Sequence, residues 1–185
     1  TVTYPINPDA VWSDGTPITS DDFEYTWQQI VTSRDIYDTT GYTSIQAIDT
    51  TDPKTAVVTF REPYAGWRDL FGGFYYLLPS HILEGHNRHR IMKDGYAFAG
   101  GPWMLEGGRR GWDKGRSMTL VPNPRYWGTQ PSIAKVVFQF IPESGGFRRD
   151  LKPANLMLDE GGRAVLMDFG LGVFDKFEVK APRTG

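Results

Sequence analysis

The chain has 185 residues, 39% of them hydrophobic and 14% aromatic, which is enough apolar matter for a buried core and too much for a disordered chain. It contains no cysteine, which excludes disulfides, thiolate zinc sites and cysteine nucleophiles. The net charge of −2 is uneven: residues 1–62 carry ten acids against three bases, and residues 86–116 carry seven bases against three acids. The basic stretch has no nucleic-acid module pattern around it and reads as a solvated face, so no nucleic-acid partner is expected. No apolar run approaches the ~20 residues that a membrane-crossing helix needs.

The chain opens on Thr1-Val2-Thr3-Tyr4-Pro5-Ile6, which alternates like a strand. An opening strand without a methionine suggests a piece of a longer chain or a processed product. Ser13-Asp14-Gly15-Thr16 is a turn signal. Thr19 or Ser20 then caps a helix whose first turn holds Asp21, Asp22 and Glu24, acids that complement the positive end of the helix dipole. Phe23, Trp27, Ile30, Val31 and Arg34 recur at helical spacing and give it an apolar face.

Residues 44–49 and 55–61 read as strands joined by a tight turn at Asp52-Pro53-Lys54, where proline fixes φ. A short helix is expected near 65–71, followed by the apolar, aromatic run 72–78. Pro79-Ser80 opens another short helix that ends at Gly85. Residues 86–101 read as loop. Residues 102–106 and 117–121 read as strands, with Gly107 to Gly115 as a long hairpin tip between them. Residues 135–141 form the strongest strand pattern in the chain.

After Ser144-Gly145-Gly146 the character changes. Two short apolar segments, 156–158 and 164–167, flank Asp159-Glu160-Gly161-Gly162, which predicts a hairpin, and 164–167 is also a candidate neighbour for the strand at 135–141. Strands and short helices interleave, so the class is α/β or α+β. The predicted organisation is one domain over 1–144 and a second module over 145–185.

Several motifs carry a family resemblance. Trp12-Ser13-Asp14-Gly15-Thr16-Pro17-Ile18-Thr19, with Asp21-Asp22-Phe23 and Trp27, resembles a signature of family 5 extracellular solute-binding proteins. These are the oligopeptide, dipeptide and nickel receptors of ABC importers. Asp52-Pro53-Lys54-Thr55, Pro63-Tyr64 and Leu78-Pro79-Ser80-His81-Ile82-Leu83 follow in the family's order. Gly101-Pro102-Trp103, Trp112-Asp113-Lys114-Gly115, Asn123-Pro124 and Tyr126-Trp127-Gly128 resemble a second signature, so that about 1–143 is covered.

The resemblance implies a mixed-sheet, partial lobe of a periplasmic-binding-protein-like fold, with the C-terminal hairpin as an appendage. It implies an extracytoplasmic receptor that captures a peptide or other small solute without catalysis and delivers it to a membrane permease, with no cofactor. In the family the groups that clamp a ligand's charged ends come mostly from a second lobe, so none is carried onto this chain. The candidates for ligand contact are aromatic: Tyr42, Phe74, Tyr75 and Tyr76, each also a core candidate.

A second resemblance lies further on. Arg148-Arg149-Asp150-Leu151-Lys152-Pro153-Ala154-Asn155 is similar to the catalytic loop of Ser/Thr protein kinases, and Asp168-Phe169-Gly170 to their metal-binding motif. It implies catalytic roles for Asp150, Lys152 and Asn155, with Asn155 and Asp168 on the Mg²⁺ of Mg-ATP. The first position of that loop is Arg148 where the family has histidine, and no Gly-rich phosphate loop or lysine-bearing strand precedes it. The alternative reading is therefore a kinase or pseudokinase remnant in a chimeric chain. His86 and His89 have metal-compatible spacing, but Arg88 and Arg90 beside them would repel a cation.

Overall fold

The computed structural model describes residues 1–140, together with the backbone of residues 156–158 and 164–166. The chain divides into two compact units, Thr1–Gln139 and Phe140–Gly185. Asp150, Lys152, Asn155 and Asp168 lie outside the described residues.

The first unit begins with strand β1, Val2–Pro5. Helix α1 spans Ser20–Thr32 with Thr19 at its N-cap. Strands β2, Ile45–Asp52, and β3, Thr55–Phe60, follow across the expected turn. They form an antiparallel sheet in the order β1-β3-β2, with Val2 opposite Val58 and Ile48 opposite Val58 on the other side. Ala56 and Val58 are fully buried, while their alternating neighbours Thr55, Val57 and Thr59 are half-buried, as a sheet covered on one face requires.

Helix α1 lies on that covered face. Phe23 and Ile30 enter the main core with Tyr42, Ile45, Ile48, Ala56, Val58, Leu70 and Phe71. The predicted stripe is only part of the buried arc. Val31 is exposed and Arg34 falls beyond the helix, whereas Ser20, Asp22, Tyr25 and Thr26 are buried. Tyr25 faces a separate cluster with Leu83 and Phe98, so the helix is gripped from two sides.

The expected helix near 65–71 is a 3-10 turn, Ala65–Asp69. Helix α2 is Ser80–Leu83. The stretch 86–101, expected as loop, contains a short helix α3, Arg88–Met92. Its start is fixed by Asn87, whose side-chain oxygen accepts the Arg90 N–H at 2.8 Å, a capping signal hidden among charged residues.

The second sheet is antiparallel and centres on β6, Ser117–Pro122. Strands β4, Trp103–Leu105, and β5, Trp112–Asp113, lie end to end along one edge of β6, and β7, Val136–Gln139, lies along the other. The expected long tip at 107–115 is therefore shorter: a 3-10 turn at Gly108–Gly111 returns the chain so that Trp112 pairs with Met118.

In the second unit, β8, Leu156–Leu158, and β9, Ala164–Leu166, pair antiparallel with Leu156 opposite Leu166. Within this unit the partner of β9 is thus β8, as the predicted hairpin requires.

Candidate functional site

A cavity of about 620 Å³ opens in the first unit between α1, the segment 71–78, α3 and the segment 96–103. That volume lies within the range of small-molecule sites. Hydrogen bonds from the sequence motifs pin the walls at α1, 71–78 and 96–103 in place.

The central pin is Asp22, which is 1% exposed. Its Oδ2 accepts the Trp12 indole N–H at 3.0 Å and the Thr19 backbone N–H at 3.1 Å. Its Oδ1 accepts the Ser80 N–H at 2.8 Å and the Ser80 hydroxyl at 2.7 Å. One carboxylate thus joins the Trp12 loop, the start of α1 and the start of α2. A buried carboxylate is tolerable only when so satisfied.

Thr26, one turn further along α1, donates from its hydroxyl to the Asp22 carbonyl at 2.6 Å and accepts the Leu78 N–H at 2.8 Å, which fastens the segment 71–78 to the helix. Ser13 fastens the opposite wall: its N–H donates to the Ala99 carbonyl at 2.8 Å, and its hydroxyl accepts the Ala99 N–H at 3.0 Å. Asn123, fully buried, donates to the Gly101 carbonyl at 3.0 Å and from its backbone to the Pro102 carbonyl at 2.8 Å. The turn bearing Asp14 is tied to α2, with Asp14 Oδ2 2.8 Å from His81 Nε2. Burial opposes the charge on Asp14, but hydrogen bonds from His81 and Thr16 prevail and hold its carboxyl below the usual range.

The predicted aromatic residues separate into two groups. Phe74, Tyr75 and Tyr76 all line the cavity, and Phe74 is 76% and Tyr76 60% exposed. Tyr75 stands edge-on to Phe74 at 4.9 Å and accepts the Asp38 N–H at 3.2 Å. Tyr42 does not line this cavity. It is 3% exposed, packs edge-on against Phe71 at 5.3 Å and Tyr75 at 6.0 Å, and accepts the Phe71 N–H at 2.8 Å. Burial pushes its phenol pKa up. Tyr42 backs the aromatic wall.

That support has a backbone consequence. Phe71 has φ 61°, a left-handed conformation unfavourable for a bulky residue. The bond to Tyr42 and ring contacts with Phe23 at 5.0 Å and Tyr4 at 5.7 Å hold it there. Beyond it, Phe74 to Leu78 run along the cavity, with Tyr75 and Leu77 also packed against the main core.

Sequence reasoning did not single out Tyr96 and Phe98 on the facing wall, nor Arg88 on α3, as lining residues, and it noted Trp103 there only as part of a signature. Tyr96 and Phe98 stack at 4.8 Å. Their alternation in Gly95-Tyr96-Ala97-Phe98 was the available signal, masked by the polar residues before it. Among the described residues no group of three or more His, Asp or Glu side chains is placed to hold a metal ion. No helix among them is long and apolar enough to cross a membrane.

An aromatic-walled cavity, pinned by buried polar residues on an α/β scaffold, is the candidate site of the first unit. The family model of the bacterial extracellular solute-binding proteins, family 5 Middle, matches residues 1–155, and the chain belongs to that family. The match crosses Asp150, Lys152 and Asn155. The chain is similar to LpqW of Mycobacterium tuberculosis, described as a probable monoacyl phosphatidylinositol tetramannoside-binding protein, with 37% identity over 151 residues, 75% of this chain and 21% of the relative. It is similar to the oligopeptide-binding protein OppA of the same species, with 32% identity over 150 residues, 77% of this chain and 24% of the relative. Among solved structures it resembles the periplasmic EDTA-binding protein EppA, with 36% identity, a TM-score of 0.64, and coverage of 75% of this chain and 27% of that one. The chain therefore spans about a quarter or less of the length of these two curated relatives.

Proposed function

We propose that this chain is part of the extracytoplasmic substrate-binding component of an ABC importer, and that it captures a peptide or similar small solute without breaking a bond. A membrane permease receives the solute. The observation that carries this reading is the coincidence of family membership with an aromatic cavity along which Phe74, Tyr75 and Tyr76 lie. Such rings grip a ligand by flat contact at little entropic expense. The name of EppA supports a small-solute ligand and that of OppA a peptide, whereas LpqW is named for a glycolipid.

The test is a thermal melt followed by tryptophan fluorescence, with and without a mixed pool of short peptides. A ligand that binds only the folded form raises the midpoint. A rise with peptide is expected, and a cooperative melt unmoved by millimolar peptide refutes the reading.

One observation favours a second reading for the C-terminal unit alone. The antiparallel pair β8–β9 lies in sequence between the Asp150 loop and the Asp168 motif, where the kinase-like pattern calls for a hairpin. Under that reading Mg-ATP raises the midpoint through Asp150, Lys152, Asn155 and Asp168, and an unchanged midpoint with Mg-ATP removes it.

A further inference from the structure

Away from the cavity, the fold gathers much of the basic stretch of the sequence in one place. Lys93, at the end of α3, and Lys114, just beyond β5, both reach Asp94, with Nζ 3.9 Å from Oδ2 and 3.0 Å from Oδ1 respectively. Arg109, in the 3-10 turn before β5, reaches back to α3 and donates from Nη2 to the Ile91 carbonyl at 3.3 Å. The backbone follows the same contact: a Cβ on Gly95 would stand 3.4 Å from Arg109 Cα and 3.4 Å from the Trp112 ring. The Lys114 hydrogen bond, aided by the charges of Lys93 and Arg109, holds the Asp94 carboxyl below its usual range, so it stays ionised at neutral pH. Arg110 follows Arg109 in the turn, exposed like it, with its stem beside Gly107. Four bases therefore stand about one acid. The other acids nearby are already paired, Asp113 with Arg116 at 3.8 Å and Glu106 with Lys135 at 2.6 Å, and among the described residues neither Arg109 nor Arg110 has a carboxylate partner.

The character of this surface selects the kind of partner. The Lys93 and Lys114 side chains are 54% and 52% exposed, and Arg109 and Arg110 are exposed too, so the bases form no buried donor set of the kind that holds a small anion. Residues 93–95 and 108–114 contribute no exposed large apolar side chain, so the apolar centre of a protein–protein interface is lacking. What remains is a concentration of like charge on exposed turns. An anionic bilayer answers to such a surface, because it needs neither a pocket nor an apolar anchor and responds to the summed charge within a Debye length, about 10 Å at 0.1 M salt.

We infer that Lys93, Arg109, Arg110 and Lys114 form a docking surface for the anionic phospholipid headgroups of a bilayer, on which the chain rests peripherally. The inference rests on the proposed placement of the chain outside the cell beside a membrane permease. It does not depend on which solute the cavity takes.

The experiment sediments the full chain with extruded vesicles, without any solute. Vesicles of phosphatidylglycerol mixed with phosphatidylcholine should carry the chain down at low salt, pure phosphatidylcholine should not, and high salt should release it. Each basic residue close to an anionic surface tightens binding about fivefold, so Arg110→Gln combined with Lys114→Gln should weaken it roughly 25-fold. Arg61→Gln, which removes an exposed base just beyond β3, should leave it unchanged. Asp94→Asn removes the one acid and should tighten binding about fivefold, which charges that merely hold the turns together would not do. A cooperative tryptophan melt shows that each variant is folded, and Arg110→Gln alone, which removes no ion pair, keeps the test decisive if the double variant does not fold. No sedimentation with phosphatidylglycerol at low salt overturns the inference, as does binding that the double variant leaves intact or that Asp94→Asn fails to tighten. Retention on immobilised poly-glutamate without vesicle binding also overturns it and assigns the surface to an acidic protein. Either failure leaves solute capture untouched, and a cavity that takes no peptide leaves the docking surface standing.

Discussion

Replacing Asp22 by asparagine tests whether the cavity walls are held as described. Asparagine keeps the volume but offers one acceptor oxygen where the carboxylate offers two. Whichever way the amide turns, two of the four donors from Trp12, Thr19 and Ser80 face an NH₂ group. Hydrogen bonds to a charged group contribute about 1.5–3 kcal/mol each, with incomplete additivity, so the loss should be about 3 kcal/mol. For a domain of this size that lowers Tm by roughly 6–12 °C. Trp12 is almost fully buried and bonded to Asp22, so tryptophan fluorescence reports the melt directly. The control is Asp21→Asn on the same helical turn. Asp21 is exposed, and its charge acts only through the helix dipole, for about 0.3–1 kcal/mol. An Asp22→Asn midpoint within the range of Asp21→Asn would refute the argument that one carboxylate joins three segments.

Lys54→Met should lower Tm by several degrees, because Nζ donates to the carbonyls of Asn7, Ala10 and Ile18 at 3.4, 3.2 and 2.9 Å, and methionine keeps only the stem; a wild-type melt would show that these bonds add nothing over water. Gly41→Ala and Gly85→Ala share a left-handed φ of 80° and 73°, but a Cβ at Gly41 meets the Tyr64 ring at 2.7 Å whereas at Gly85 it meets nothing. Gly41→Ala should therefore be the more damaging by about 1–3 kcal/mol, and equal denaturant midpoints would refute the close approach. Tyr4 donates its hydroxyl to the Trp67 carbonyl at 2.6 Å, and burial, with a smaller effect from Tyr42, pushes its pKa up to about 12. A raised phenol favours the folded state fully below the unfolded value near 10, and that contribution is lost as pH rises through about 12. Stability measured between pH 10 and 12 should therefore fall, and Tyr4→Phe should flatten the fall; an unchanged slope counts against the assignment.

The sheets were legible in the sequence because their signals are local. Alternation in Ala56-Val57-Val58-Thr59 and the Asp52-Pro53-Lys54 turn together define β2–β3, and the same logic pairs β4 with β6. What was not legible depends on distant partners. Asp22 reads as one of three acids at a helix start, and nothing nearby indicates that its oxygens face Trp12 and Ser80, the latter 58 residues away. β5 was lost within an expected hairpin tip because two residues carry no periodicity, and α3 was lost because its residues Arg88–Met92 look like a charged loop.

The candidate site divides along the same line, and the division bears on specificity. Of the polar motif residues that carry the family resemblance, Ser13, Asp22, Ser80 and Asn123 hold the walls together through hydrogen bonds. Of the motif side chains, Trp12, Ile18, Leu78 and Trp103 do reach the cavity, but they are apolar or carry a single indole N–H, which in Trp12 is already engaged by Asp22. The groups able to discriminate between ligands, Arg88, Gln29, Tyr76 and Tyr96, stand outside those motifs. A motif match in this chain therefore reports that the cavity is built, and the ligand it prefers is set by side chains to which the motif is blind. Substitutions at Arg88 and Tyr76 should accordingly change ligand preference with little change in Tm, whereas those at Asp22 or Asn123 should lower Tm and weaken every ligand together.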